Sequence, residues 1–190
     1  MTILNQVLQA NTIFTQSLPK EFIESVPAVS KVPLRQLAIF TCMDTRLVDF
    51  LEPALGIKRE EAIVIKNAGN SVTGSFEATI RSLIVGIFEL HIQEIMVIGH
   101  EDCGVSHTTA KELREKMLAR GISDEAITMI KEEMELWLDR FHHPEENVKQ
   151  VVEKIRTNPL IPADIPVHGL LFNPYTGKLQ LISSGYPGRS

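Results

Sequence analysis

Apolar residues in this chain fall into two kinds of run. Ile95–Ile98, followed by Gly99, is short, unbroken and bounded by glycine, which predicts a buried strand rather than a helix. Leu37–Thr41 is a similar run, and Ala62–Lys66 predicts a third strand. Longer stretches repeat at helical spacing. Residues 3–17 place Ile3, Leu4, Val7, Leu8 and Phe14 near one face. Phe76–Leu90 carries Phe76, Ile80, Leu83, Ile84, Ile87 and Phe88, with Ser75 as the expected N-cap and Glu77 in the first turn. Ser123 is expected to cap a helix bearing Ile127, Ile130, Met134, Trp137 and Leu138, a stripe read as core. The helix after Pro144 carries Val148, Val151, Val152 and Ile155 at i, i+3, i+4 and i+7. Between them, LVDFLEPALGI predicts a helical turn or two, with Pro53 blurring its boundary and Gly56 as a stop. Leu18–Pro33 holds three prolines and is expected to wrap the surface. Val167–Phe172 and Leu179–Ser183 flank NPYTG and predict a hairpin.

Strand, helix and strand in close succession imply right-handed crossovers and a parallel sheet. The predicted fold is α/β: a central, mostly parallel four-strand sheet plus an antiparallel edge strand, with helices on both faces. At 190 residues with 44% apolar content, one domain over 1–190 is expected. Residues 1–33 form an N-terminal helical arm in this reading, and 34–190 form the core.

Composition narrows the classes of function. The net charge is −5 and basic runs are missing, so neither nucleic acid nor an anionic membrane is an expected partner. No segment reaches the ~18 apolar residues of a membrane span. The first residues lack the charged start, apolar core and cleavage site of a signal peptide. The chain is therefore expected to be cytoplasmic, where thiols stay reduced and can hold metal.

The candidate chemistry gathers where two of the predicted strands end. In EIMVIGHEDCG, the strand runs straight into His100 and Cys103, which are three apart on the turn and can reach one ion. Open α/β sheets place their ligands at this end of their strands. The other cysteine of the chain, Cys42, ends the Leu37–Thr41 run and opens CMDTR. Cys42, His100 and Cys103 make a three-ligand zinc set with a fourth position for water; a buried thiol pair or a disulfide is the plainer alternative. Asp44 lies two residues from Cys42, and Arg46 can hold it by a bidentate bond. Beside zinc, Asp44 can accept a hydrogen bond from bound water, or bind the metal itself as a fourth ligand in a closed state. An ordinary ion pair is the alternative.

Weaker candidates surround these five. His107 is a conceivable proton relay, though a polar helix-start residue explains it better. His91 ends a helix, His142 and His143 read as a solvated loop, and His168 reads as satisfied within its strand. Glu101 and Asp102 adjoin the ligands and are given supporting roles at most. Asn67, Gly69, Asn70 and Gly104 either let backbone approach a substrate or simply make turns.

CMDTR, NAGN and GHEDCG, in that order and at these separations, resemble a beta-class carbonic anhydrase. The family pattern is Cys-x-Asp-Ser-Arg followed by His-x-x-Cys, and the likeness is strongest from about Leu37 to Val105. Thr45 stands where the pattern has Ser and keeps the hydroxyl. The resemblance implies Zn2+ as cofactor on Cys42, His100 and Cys103, with Asp44 and Arg46 as the catalytic pair. It implies carbon dioxide and bicarbonate as substrates, hydrated by attack of zinc-held hydroxide. It also implies a homodimer or dimer-built oligomer, with the N-terminal helix on the neighbour. Pro33 stands where plant-type members carry Gln, and Trp137 lies outside the region of the family's inhibitory bicarbonate site. The chain looks closer to the small archaeal and bacterial subgroup. That subgroup also resembles hydrolases of carbonyl sulfide and carbon disulfide, which keeps those substrates open beside a zinc-stabilised module without turnover.

Overall fold

The computed structural model describes residues 1–20, 22, 31–139, 141 and 143–187. It divides into two compact units, Met1–Lys31 and Val32–Ser190. In the first, helix α1 (Ile3–Gln16) begins at Thr2, whose hydroxyl accepts the Asn5 N–H. Its apolar residues Ile3, Leu4, Val7 and Leu8 are exposed. Most of the stretch expected to wrap the surface, Leu18–Pro33, lies outside the described residues.

The second unit is built on one sheet of β1 (Leu37–Cys42), β2 (Ala62–Asn67), β3 (Glu94–His100), β4 (Val167–Phe172) and β5 (Leu179–Ser183). The strand order is β2-β1-β3-β4-β5. The first four strands run parallel and β5 runs antiparallel to β4. This is the α/β sheet that the apolar runs and the NPYTG hairpin predict. Its helices are α2 (Leu51–Ala54), α3 (Ala78–Leu90), α4 (Ala110–Ala119), α5 (Asp124–Met129), α6 (Lys131–Leu138) and α7 (Pro144–Arg156).

Every residue of β1 is buried, and alternate side chains feed two different cores. Ala38 and Phe40, with Ile95 and Val97 of β3, meet Ile80, Leu83 and Ile87 of α3 and Val148, Val151, Val152 and Ile155 of α7. Leu37, Ile39 and Ile98 face the other way, against Leu47, Leu51, Ile57 and Phe172. The period-two alternation of a strand therefore places apolar groups on both sides of the sheet. Helix α7 sits tightly because the sheet beneath it carries glycine. A Cβ at Gly99 would meet Val148 Cγ2 at 2.6 Å, and one at Gly169 would meet Val148 Cγ1 at 2.8 Å.

Two helix expectations are corrected. Helix α3 starts at Ala78 with Glu77, not Ser75, as its N-cap; the Glu77 carboxylate accepts the Ile80 N–H. Ser75 is engaged elsewhere, its carbonyl accepting from Asn158 Nδ2. Phe76 consequently precedes the helix and is exposed, and Phe88 lies on its outer face. The helix expected after Ser123 is two helices, broken at Ile130. There the backbone N–H turns back to the Ile127 and Thr128 carbonyls, a tightened last turn that ends α5. The break leaves Ile130 exposed but lets Ile127, Met134 and Leu138 bury together with Ala110 of α4.

Candidate metal centre

The site lies at the C-terminal edge of the sheet, where β1 and β3 run side by side. Cys42 is the last residue of β1 and His100 the last of β3. The Thr41 hydroxyl, buried beneath them, donates to the Ile98 carbonyl at 2.8 Å and ties the two strand ends together. After His100 the chain turns through Asp102, whose φ of 53° is left-handed, and this reversal returns Cys103 to the edge. The donor atoms of Cys42, His100 and Cys103 then lie within 4.8 Å of one another, all three residues buried.

The chemistry of this donor set fits a dication. The two sulfurs are 3.9 Å apart and unbonded, close to the ~3.8 Å separating two thiolates on one tetrahedral zinc. His100 Nδ1 lies 2.8 Å from the Glu101 carbonyl. As the donor of that bond it leaves the lone pair on Nε2, and buried Nε2 has no hydrogen-bond partner. The Cys103 thiol donates towards Cys42, which with His100 and the backbone N–H groups of Gly69 and Asp44 brings the Cys42 pKa well down against the cost of burial. As the donor facing that sulfur, Cys103 is pushed up, burial and the Cys42 charge adding to the effect. Burial opposes a charge on His100, but the Cys42 sulfur, the Glu101 carbonyl and the Asp44 carboxylate outweigh it and raise its pKa. Two thiols sharing one proton beside an unpartnered imidazole nitrogen have the charge and softness that zinc selects.

Asp44 and Arg46 stand next to this cluster. Asp44 caps a 3-10 turn, Thr45–Leu47, its Oδ1 accepting the Arg46 N–H at 2.9 Å. The same carboxylate takes the Arg46 side chain bidentately, Nε to Oδ1 at 3.0 Å and Nη2 to Oδ2 at 2.8 Å. These bonds hold the Asp44 carboxyl down to about 2 and raise the pKa of Arg46, so both are charged near neutral pH. Asp44 Oδ2 is also 3.7 Å from His100 Nε2. The carboxylate therefore borders the donor cluster while remaining bound to the guanidinium.

All five residues singled out in the sequence thus converge. Of the weaker candidates, Gly69 adopts φ 70° and its N–H reaches Cys42, while a Cβ there would meet Phe141 at 3.0 Å. Asn67 is occupied by Ser71 and Thr79. Gly104 has open space around it. His107 is exposed, 3.5 Å from Asp102 Oδ1. His91 is the left-handed C-cap of α3, and His143 is exposed at the start of α7. His142 lies outside the described residues. His168 is buried on β4, Nδ1 accepting the Gly185 N–H and Nε2 lying 3.1 Å from Glu94. Tyr175 was not singled out, yet its hydroxyl reaches Arg46 at 2.8 Å and Asp102 at 2.6 Å. The available signal was topological: β4 pairs with β3 as far as His100↔Phe172, so the hairpin turn after β4 emerges beside the donor cluster.

Comparison with known proteins agrees with this geometry. The carbonic anhydrase family model matches residues 37–179, which span the whole sheet up to the start of β5. The solved beta-carbonic anhydrase isoform I of Trichomonas vaginalis is 44% identical with a TM-score of 0.86, over 98% of this chain and all of that one. YtiB of Bacillus subtilis is 41% identical over 98% of this chain and 99% of its own length. More distant is the carbon disulfide hydrolase of an Acidianus strain, 29% identical over 77% of this chain and 76% of its own. The chain belongs to the beta-class carbonic anhydrases, a family of enzymes.

Proposed function

We propose that the chain catalyses the reversible hydration of carbon dioxide to bicarbonate and a proton, with one zinc ion held by Cys42, His100 and Cys103. The observation that carries this reading is the division of labour at the sheet edge. Three donor atoms converge, while Asp44, the obvious fourth, is engaged by Arg46 instead. A structural zinc site normally closes with four protein ligands, whereas three leave a position for reaction. That difference disfavours a non-catalytic zinc module.

When bound, zinc supplies Lewis acidity at that remaining position and lowers the pKa of a water held in it. Two thiolates donate more charge than neutral imidazoles, so activity is expected to favour alkaline pH. The Cys42 sulfur is prepared for the ion by the N–H groups of Gly69 and Asp44, and Cys103 by that of Val105. Asp44, ionised above about pH 2, accepts a hydrogen bond from the attacking water and so leaves an oxygen lone pair directed at the carbon, while the proton of the hydration is released to solvent buffer. Arg46 fixes the carboxylate in that pose and keeps it out of the ligand position. If acid conditions released Asp44 from Arg46, its carboxylate would become the fourth ligand and catalysis would stop with the metal retained.

The same residues are able to direct water at carbonyl sulfide or carbon disulfide. The greater likeness to the Trichomonas carbonic anhydrase than to the Acidianus carbon disulfide hydrolase supports carbon dioxide. Hydration and sulfide-release assays run side by side on zinc-loaded protein test the choice; sulfide release faster than hydration would reverse it. No described helix is long and apolar enough to cross a membrane, and a cytoplasmic enzyme with reduced thiols is the setting we propose. A homodimer or dimer-built oligomer is supported by the exposed apolar face of α3, with Val85 53% and Phe88 59% accessible. Sedimentation as a monomer at micromolar concentration would contradict it.

A further inference from the structure

Arg46 is held from more directions than its pairing with Asp44 requires. A guanidinium has five N–H donors, and here each has an acceptor. Nε and one Nη2 donor serve Asp44. The other Nη2 donor goes to the Asp102 carbonyl at 2.7 Å. Both Nη1 donors point away from Asp44, to Asp102 Oδ2 at 2.9 Å and the Tyr175 hydroxyl at 2.8 Å. Tyr175 closes the triangle by donating to the same Asp102 oxygen at 2.6 Å, and its ring centre is 5.5 Å from the guanidinium carbon. In this arrangement Arg46 has no N–H left to offer a substrate, so its contribution is to hold Asp44.

The tyrosine is itself placed by the turn that carries it. Asn173 Oδ1 accepts the N–H groups of Tyr175 and Thr176, both at 2.9 Å. Asn173 Nδ2 donates to Glu101 Oε2 at 2.6 Å. Gly177 completes the turn at φ 72°, its N–H bonded to the Asn173 carbonyl. The tip of the β4–β5 hairpin is thereby tied twice to the His100–Cys103 turn, once through Asn173–Glu101 and once through Tyr175–Asp102.

We infer that Tyr175 and Asp102 are positioning residues for this reaction: the hairpin tip fixes the Arg46 guanidinium from behind, and so fixes the pose of Asp44. This rests on the reading of Asp44 as the carboxylate beside the reacting water. Misplacing a catalytic group by an ångström is enough to cost rate without changing its chemistry. A bond made by a charged donor is among the stronger means of preventing that.

The test uses the full zinc-loaded chain and three variants. Tyr175→Phe removes only the hydroxyl, Tyr175→Ala also removes the ring, and Asp102→Asn keeps the shape while removing the charge. Zinc per chain, kcat and KM for carbon dioxide, and the side-chain nitrogen signals of Arg46 are measured, the last assigned by their loss in Arg46→Lys. A clamped guanidinium gives separate Nη signals because its rotation is slowed. Zinc content should be unchanged in all three variants, with KM within about twofold and kcat reduced on the order of tenfold. The Nη signals should merge in each. Tyr175→Phe with wild-type kcat and resolved Nη signals overturns the proposal, and so does impairment confined to Tyr175→Ala. If zinc-loaded wild type fails to hydrate carbon dioxide, the functional reading falls, but the Arg46 signals still decide the positioning question.

Discussion

Asp44 reaches its pose by the most local means available: it caps a 3-10 turn whose second residue, Arg46, supplies both a backbone and side-chain bonds. Removing the guanidinium should therefore leave the metal donors intact and free the carboxylate. Arg46→Ala is expected to keep about one zinc per chain while kcat falls on the order of a hundredfold. Parallel loss of zinc and rate would instead mark Arg46 as holding the ligand loop together. Cys42, Asp44 and Arg46 were legible because they share one turn, and His100 and Cys103 because they share another. Tyr175 was not, since its role depends on a hairpin far along the chain coming back to the same sheet edge. His168 makes a separate, pH-dependent statement. Buried between β3 and the residues after β5, it has its pKa lowered by burial, which prevails over Glu94 and works in the same sense as Arg156. The unfolded chain thus takes up this proton first as pH falls below about 6.5, so the His168 contribution to stability is present above that pH and lost below it. Urea unfolding at about pH 7.5 and 5.5 should show a smaller stability difference in His168→Gln than in wild type; an equal difference would place the dependence elsewhere.

The elements read best from sequence are those whose neighbours leave no choice of face. β1 and β3 are buried on both sides, so unbroken apolar runs betray them. Helix α7 presents Val148, Val151, Val152 and Ile155 inward on a regular repeat. The start of α3 and the break at Ile130 were missed for a different reason. Both are settled by hydrogen bonds of backbone N–H groups, Ile80 to the Glu77 carboxylate and Ile130 back to the carbonyls of the turn before it, which apolar periodicity does not register. Glycine in the sheet also carries information that a pattern of apolar positions passes over. Gly169 lies under α7, where a Cβ would come within 2.8 Å of both Val148 Cγ1 and Ser183 Oγ. Gly169→Ala is expected to destabilise the protein by about 1–3 kcal/mol through overpacking. Thermal or urea unfolding measures this, and an unchanged midpoint would mean that α7 shifts freely.

At the scale of the molecule, the order β2-β1-β3-β4-β5 puts the ends of β1 and β3 side by side in the middle of the sheet. Two distant sequence motifs are joined there, and a third segment, the β4–β5 turn, is laid against them. A cleft of about 850 Å³, lined in part by Ser71, Trp137, Phe141 and Lys154, includes none of the five site residues. In the proposed reaction, hydration depends on one zinc ion held by Cys42, His100 and Cys103. The most direct measurement pairs zinc content with stopped-flow hydration of carbon dioxide, for wild type, Cys42→Ser and Cys103→Ser. The expected result is about one zinc per wild-type chain, activity rising towards alkaline pH, and loss of both zinc and activity in each variant. Stoichiometric zinc in both variants, or a fully zinc-loaded wild type that does not hydrate carbon dioxide at any pH, would contradict it.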